Sequence, residues 1–409
     1  MLKARRITKD ELAKTDELFR IAFEFPDENA EDNDAILKRM EEHPERRGSR
    51  YALEKWAAFD EEGNMAAWIG GMRFTARFDG HELPMSGVGG VSSLPQYRRQ
   101  GGVRMCFERL LRDNYDDGVV LSYLYPFSTK FYGRFGYEPT GKVCYYSIPL
   151  RAIDPDDSVG GSVKPHYMGS CKQDIIKVYN DYTRNYNLSC VRDESDWERL
   201  DSSDMSKTGQ YIYVWYNDAG EAKGVIGFKK EKDKVEKFNL DTARMMFWFS
   251  DAEGLRGLLQ FARGFEVYYR NLYIKLAADF PLGAYVREWA MYPQECGLYS
   301  MGMARVINVQ KALECAAYRG SGALKIAVQD RNLPENNHTF AVTFADGKAT
   351  EVKVTEEEPD VVMPIAMFSK FLLGDAQNME CYPGVKILCE PEKAAKVFYP
   401  KKMLILDSF

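Results

Sequence analysis

Two adjacent arginines followed by a glycine pair, in Arg98-Arg99-Gln100-Gly101-Gly102-Val103, form the stretch of this chain whose residue types and spacing point most directly to chemistry. Guanidinium groups are forked donors matched to phosphate oxygens. Glycines let an anion come close to the backbone. A helix start without a side-chain cap adds its free N–H groups and the positive end of its dipole. This turn suits a phosphate or diphosphate.

The elements that must hold it are legible on either side. Val88-Gly89-Gly90-Val91 reads as a strand. Val103, Cys106, Phe107, Leu110 and Leu111 recur at helical spacing, so the unit is strand, basic Gly turn, amphipathic helix. An apolar strand candidate comes next at Val119 to Leu124, and then Phe131-Tyr132-Gly133-Arg134-Phe135-Gly136-Tyr137-Glu138.

These two motifs resemble those of the GCN5-related N-acetyltransferases (GNAT). Residues 98 to 103 are similar to the Arg/Gln-x-x-Gly-x-Gly/Ala signature that holds the pyrophosphate of acetyl-coenzyme A. Val103 departs from it, standing where Gly or Ala is usual. Residues 131 to 137 resemble the family's Phe-Tyr-x-x-x-Gly-Phe/Tyr element, in which the tyrosine at the place of Tyr132 lies near the thioester sulfur. The resemblance implies cofactor contacts at Val91, Ser93, Arg98, Arg99, Gly101, Gly102 and Ser128. It also implies a β-bulge near Val91 to Ser93 that frees backbone N–H groups.

Composition narrows the class. A chain of 409 residues implies two or three domains. With 55 basic and 61 acidic residues the net charge is −6, which argues against a nucleic-acid partner. The start of the chain has no apolar targeting segment, no stretch approaches a membrane span, and a cytoplasmic protein is expected. The eight cysteines lack Cys-x-x-Cys pairs and the four histidines are scattered, so neither a disulfide framework nor a metal site is expected.

Taken in order, residues 2 to 8 read as a strand, 10 to 25 and 34 to 45 as helices, and 53 to 59, 66 to 77 and 84 to 94 as strands joined by hairpin turns. Continued by the Gly turn and then helix, strand, helix and strand, this is the element order of the acetyltransferase fold, and residues 1–150 are expected to form one complete catalytic domain. Polar, Gly-rich residues 154–161 mark a boundary. Residues 151–290 again mix strands and helices, with Asp251 as the N-cap of a helix, but lack the basic turn; they are expected to form a second, degenerate acetyltransferase-like domain. Residues 291–409 contain a hairpin at Asp346-Gly347, helices near 364–373 and 391–398, and a tail ending on Phe409. A charged hairpin is expected over 229–237.

This plan resembles the Eis-type (enhanced intracellular survival) acetyltransferases throughout. The resemblance implies an α+β chain: two tandem GNAT domains, then a sterol-carrier-protein-like domain, assembled as a homohexamer. It also implies that the α-carboxylate of the final phenylalanine, here Phe409, reaches the first domain's active site. The expected enzyme transfers acetyl from acetyl-coenzyme A to a primary amine: an aminoglycoside, a polyamine or a lysine side chain. Tyr132, with a hydroxyl near ~10, is the expected general acid, and Phe409 assists amine deprotonation. Glu24, Asp27, Glu28 and Asp407 are candidates to line a cationic substrate site. The alternative is a lipid carrier working through the C-terminal domain, with a non-catalytic, cofactor-sensing N-terminal domain.

Overall fold

The computed structural model describes residues 1–25, 31–156, 158–232, 238–278, 280–287 and 295–409. The chain divides into two compact units, one of Met1–Thr140, Gly302–Lys401 and Ile405–Phe409, the other of Gly141–Met301 and Lys402–Leu404.

In the first unit, β1 (Lys3–Arg6), β2 (Lys55–Phe59), β3 (Met65–Phe78) and β4 (His81–Ser93) pair antiparallel in sequence order. The next strand, β5 (Leu121–Leu124), lies parallel to β4. Strand Met303–Val306 then pairs antiparallel with both β5 and β6 (Glu138–Pro139). Side chains alternate across this sheet, and each face is covered by helices. On one face α1 (Leu12–Phe23) and α2 (Asn33–Glu42) bury Leu12, Leu18 and Ile36 against Ala57, Phe59 and Trp68. A single turn, α3 (Arg47–Arg50), lies on the same side, its Arg47 stacking 4.2 Å over Phe74. On the other face α4 (Gly102–Asp116) buries Cys106, Phe107, Leu110 and Leu111 against Ala58, Ala67, Ile69 and Val88. The short α5 (Thr129–Gly133) comes after β5.

The C-terminal part of this unit is a five-stranded sheet in the order Lys348–Thr355, Thr339–Ala345, Gly322–Gln329, Val361–Pro364, Lys386–Ile387. Its hairpin turns at Asp346 and Gly347, both with positive φ (52° and 80°), as an Asp-Gly turn requires. Helix Ile365–Leu373 is buried along nearly its whole length, so its apolar surface is core. The helix expected over 391–398 is one turn, Pro391–Ala394.

The second unit is a seven-stranded sheet in the order Glu295–Ser300, Lys142–Pro149, Tyr269–Ala277, Phe238–Phe249, Ala222–Lys232, Gln210–Tyr216, Ser162–Pro165. It is flanked by helices Lys172–Thr183 and Ala252–Arg263. Lys142–Pro149, counted in sequence with the first domain, thus pairs in this sheet, while Met303–Val306 joins β5. Strands pair wherever an open edge of matching register is offered, which nearness in sequence does not reveal. One expectation is corrected: Cys144 and Cys296 form a disulfide across the neighbouring strands Lys142–Pro149 and Glu295–Ser300, with Cα atoms 6.2 Å apart. They are 152 residues apart, a pairing no local cysteine spacing announces. Part of the expected 229–237 hairpin lies outside the described residues.

Candidate active site

Two irregularities open β4. Its parallel ladder with β5 runs from Met85↔Leu121 to Val88↔Leu124 and stops. On the other side, register passes from Trp68↔Ser92 to Gly70↔Gly89, so Gly90 and Val91 stand opposite Ile69 alone. This is the expected bulge, seated at Gly90–Val91 rather than Val91–Ser93. Gly90 takes φ +65°, and a methyl group there would run into the Trp68 ring. Glycine is required.

Beyond the ladder lies a cavity of about 760 Å³, lined by Val91, Ser92 and Ser93, by Tyr97 to Arg104, by Phe127, Phe131 and Arg134, and by the end of α1. Its floor is the basic turn. Arg99 (φ 65°) and Gly101 (φ 87°) curl the backbone, and α4 begins at Gly101 with no side-chain cap and no acidic residue in its first turn. Gly102 presses on the sheet: a methyl there would lie 3.2 Å from the Cβ atoms of both Ala58 and Ala67. The guanidiniums of Arg98, Arg99 and Arg134 are exposed and make no ion pair among the described residues. Uncapped amides, dipole and three unpaired cations converge, a set of donors that fits a diphosphate. Arg134 was missed in sequence because it occupies a spacer position of the aromatic motif.

Tyr132 is 2% exposed, with its ring 5.8, 5.2 and 5.1 Å from Phe107, Phe127 and Phe131. It stands behind the cavity wall that Phe127 and Phe131 form. Burial, with a smaller effect of Tyr137, pushes its hydroxyl above the ordinary tyrosine range, a correction to the unperturbed value expected. The phenol therefore stays protonated throughout the working pH range. Ser128 accepts from the Phe131 N–H at 3.3 Å, so this candidate cofactor residue is the N-cap of α5. The turn after Tyr132 is anchored by Arg305, whose guanidinium donates to the Phe135 carbonyl and pairs at 2.6 Å with buried Asp330.

The chain's last residue reaches β4. The Phe409 ring lies 4.9 Å from Phe74, 5.6 Å from Tyr125 and 6.1 Å from Tyr123. Two glycines make room for it: a methyl at Gly87 would meet the Phe409 ring at 2.7 Å, and one at Gly89 would sit 3.1 Å from its carboxyl carbon. The Tyr125 hydroxyl donates to the Asp407 carbonyl at 2.5 Å and fixes the tail. Phe74 carries Arg47 of α3, so the carboxylate lies on the α1–α2 face, where the β4–β5 ladder ends. The glycines at 87 and 89 gave no sign of this in sequence, where they read only as a small-residue strand.

On that face is a second cavity, about 670 Å³, walled by α1, α2, Lys55, Trp68 and Gly90. The bulge is the partition, with Val91 lining the first cavity and Gly90 the second. Glu24 ends α1, is exposed and lines neither cavity. Asp27 and Glu28 lie outside the described residues.

Models of the acetyltransferase (GNAT) domain match residues 3–140 and 188–306, together more than half of the chain. The chain belongs to the GNAT acetyltransferases. A sterol carrier protein domain model matches residues 309–403. No curated protein sequence matches. Among solved structures, a probable N-acyltransferase of unknown function from Enterococcus faecalis V583 aligns over the full length of both chains at 20% identity with a TM-score of 0.82. A GCN5-related N-acetyltransferase from Anabaena variabilis aligns over both full lengths at 18% and 0.81, and Eis1 from Mycobacterium abscessus likewise at 18% and 0.78. The three-domain fold is thus the one expected.

As a GNAT enzyme the protein uses an acyl-coenzyme A donor and an amine acceptor. Its second GNAT domain begins helix Ala252–Arg263 differently from α4. There the Asp251 carboxylate accepts from the Gly254 N–H at 2.9 Å and pairs with Lys223 at 3.1 Å, occupying the helix end with the chain's own anion.

Proposed function

We propose that this enzyme acetylates a primary amine by direct transfer from acetyl-coenzyme A, with one working centre, in the first GNAT domain. The donor supplies the acyl thioester. In this reading Arg98, Arg99 and the amides at Gly101 and Gly102 hold its diphosphate, with Val91 and Ser93 beside the thioester arm. Tyr132 gives its proton to the departing thiolate. The raised phenol is a weaker acid than a thiol near ~8.5, so Tyr132 acts by hydrogen-bonding to the negative charge that develops on sulfur, and a proton it gives up is replaced by the one the amine releases to water.

The Phe409 carboxylate works from the opposite face of the bulge. An α-carboxyl near ~3.5 is too weak a base to strip an amine near ~10 directly; it draws the ammonium in and passes its proton to water. Aminoglycosides, polyamines and lysine side chains are the acceptor classes that the resemblance suggests. The observation carrying the proposal is the meeting at one bulge of a cavity floored by the basic Gly turn and the terminal carboxylate. Thiol release from acetyl-coenzyme A across a panel of amines tests it; no release with any amine refutes it.

A further inference from the structure

The second cavity suits an acceptor that is not purely cationic. Its walls are apolar where Leu12, Phe19, Ile36, Met40 and Trp68 face it. Its two carboxylates among the described residues are already engaged: Asp16 by Arg20 at 3.3 Å and Glu31 by Arg39 at 2.9 Å. Arg46 adds another cation to the lining.

Lys55 differs from these. Its ammonium donates to Thr15 Oγ1 at 2.9 Å and lies 4.9 Å over the Trp68 ring, with no carboxylate in ion-pair range among the described residues. Trp68, 7% exposed, leaves its indole N–H without a hydrogen-bond partner. Among the described residues, neither this desolvated cation nor the buried indole N–H has a carboxylate partner. Burial lowers Lys55 to about 8, against a smaller opposing pull from Asp16.

Lys55 also borders the same pair of glycines as the terminal carboxylate. A methyl on Gly70 would lie 3.8 Å from Lys55 Cγ and 3.7 Å from the Gly89 carbonyl, while one on Gly89 would lie 3.1 Å from the Phe409 carboxyl carbon. An anionic and a cationic group therefore flank the same pair of glycines.

We infer that the acceptor carries a carboxylate as well as its amine on an apolar body, with Lys55 reading the carboxylate while Phe409 reads the amine. This rests on the acetyl-transfer reading above and narrows it to amino-acid-like amines. The test compares KM within matched pairs, phenylalanine against phenylalaninamide and 6-aminohexanoate against hexylamine, with kanamycin as a polycation, using thiol release as the readout. The acid of each pair is expected to have a KM lower by about tenfold or more, the scale of one desolvated charge-assisted contact. Lys55→Met brings that ratio near one and Lys55→Arg keeps it, with Lys55→Gln as a substitute should the Met variant not fold. Equal KM values within pairs, preference for kanamycin, or an unchanged ratio in Lys55→Met overturns the inference and leaves acetyl transfer standing. Absence of thiol release with every amine removes both.

Discussion

The two GNAT domains start their central helices in opposite ways. In the first, β4 ends at Ser93, the turn from Leu94 to Gln100 intervenes, and α4 opens on Gly101 with its amides unclaimed. In the second, only Ser250 and Asp251 separate strand Phe238–Phe249 from the helix, and Asp251 closes the helix end itself. The same backbone feature is left open in one case and is a satisfied cap in the other. A carboxylate tethered in the chain occupies the amides permanently, whereas a glycine leaves them to a soluble anion.

The largest effect should come from removing the open end's charge. Arg98→Glu with Arg99→Glu should weaken acetyl-coenzyme A binding by about a hundredfold or more, since two charge-assisted contacts become repulsions. Calorimetric titration showing unchanged affinity would place the nucleotide elsewhere. Next, Tyr132→Phe should lower kcat by about a hundredfold, in the range of general-acid contributions, and leave the KM for acetyl-coenzyme A alone. Wild-type turnover in that variant would remove the tyrosine from proton donation.

Smaller effects concern stability. Gly102→Val should cost about 1–3 kcal/mol in denaturant unfolding, because a side chain at that helix start meets Ala58 and Ala67 at 3.2 Å. In the second domain Asp251→Ala should cost about 1 kcal/mol as a lost cap and leave acetyl transfer as it was; new coenzyme A binding there would mean Asp251 alone had closed the site. A third helix start sharpens the contrast. Glu11 accepts from the Thr8 N–H at 2.9 Å and is held at about 2, chiefly by Arg5. Its folded value is depressed, so its stabilisation is complete above the ordinary carboxyl value near ~4.3 and is lost as pH falls toward 2. Glu11→Gln should flatten that part of the stability profile, and an unaltered profile would assign the acid loss to other groups.

Features set by neighbouring residues were legible in sequence, and features set by distant ones were not. The Gly turn, the amphipathic α4 and the hairpins are local patterns, and each appears where its residues place it. The Asp251 cap was readable for the same reason. Lys142–Pro149 and Met303–Val306 choose partners across long stretches of chain, so neither that pairing nor the Cys144–Cys296 bridge has a local signal. Arg134, Lys55 and the room made by Gly87 and Gly89 become meaningful only when strands and tail converge. The burial that raises Tyr132 is likewise a property of three phenylalanines gathered around it.

The most direct test is the terminal carboxylate, set against its own peptide. Deleting Phe409, or adding one glycine after it, moves the charge away from Gly89 while leaving the basic Gly turn untouched. Steady-state thiol release with the best amine should fall by about a hundredfold in both variants, on the scale of a lost proton-transfer contribution, with acetyl-coenzyme A affinity near that of the parent and, in the glycine-extended variant that keeps the Phe409 ring, the melting temperature as well. Full turnover in either variant would contradict a working role for the carboxylate at that bulge.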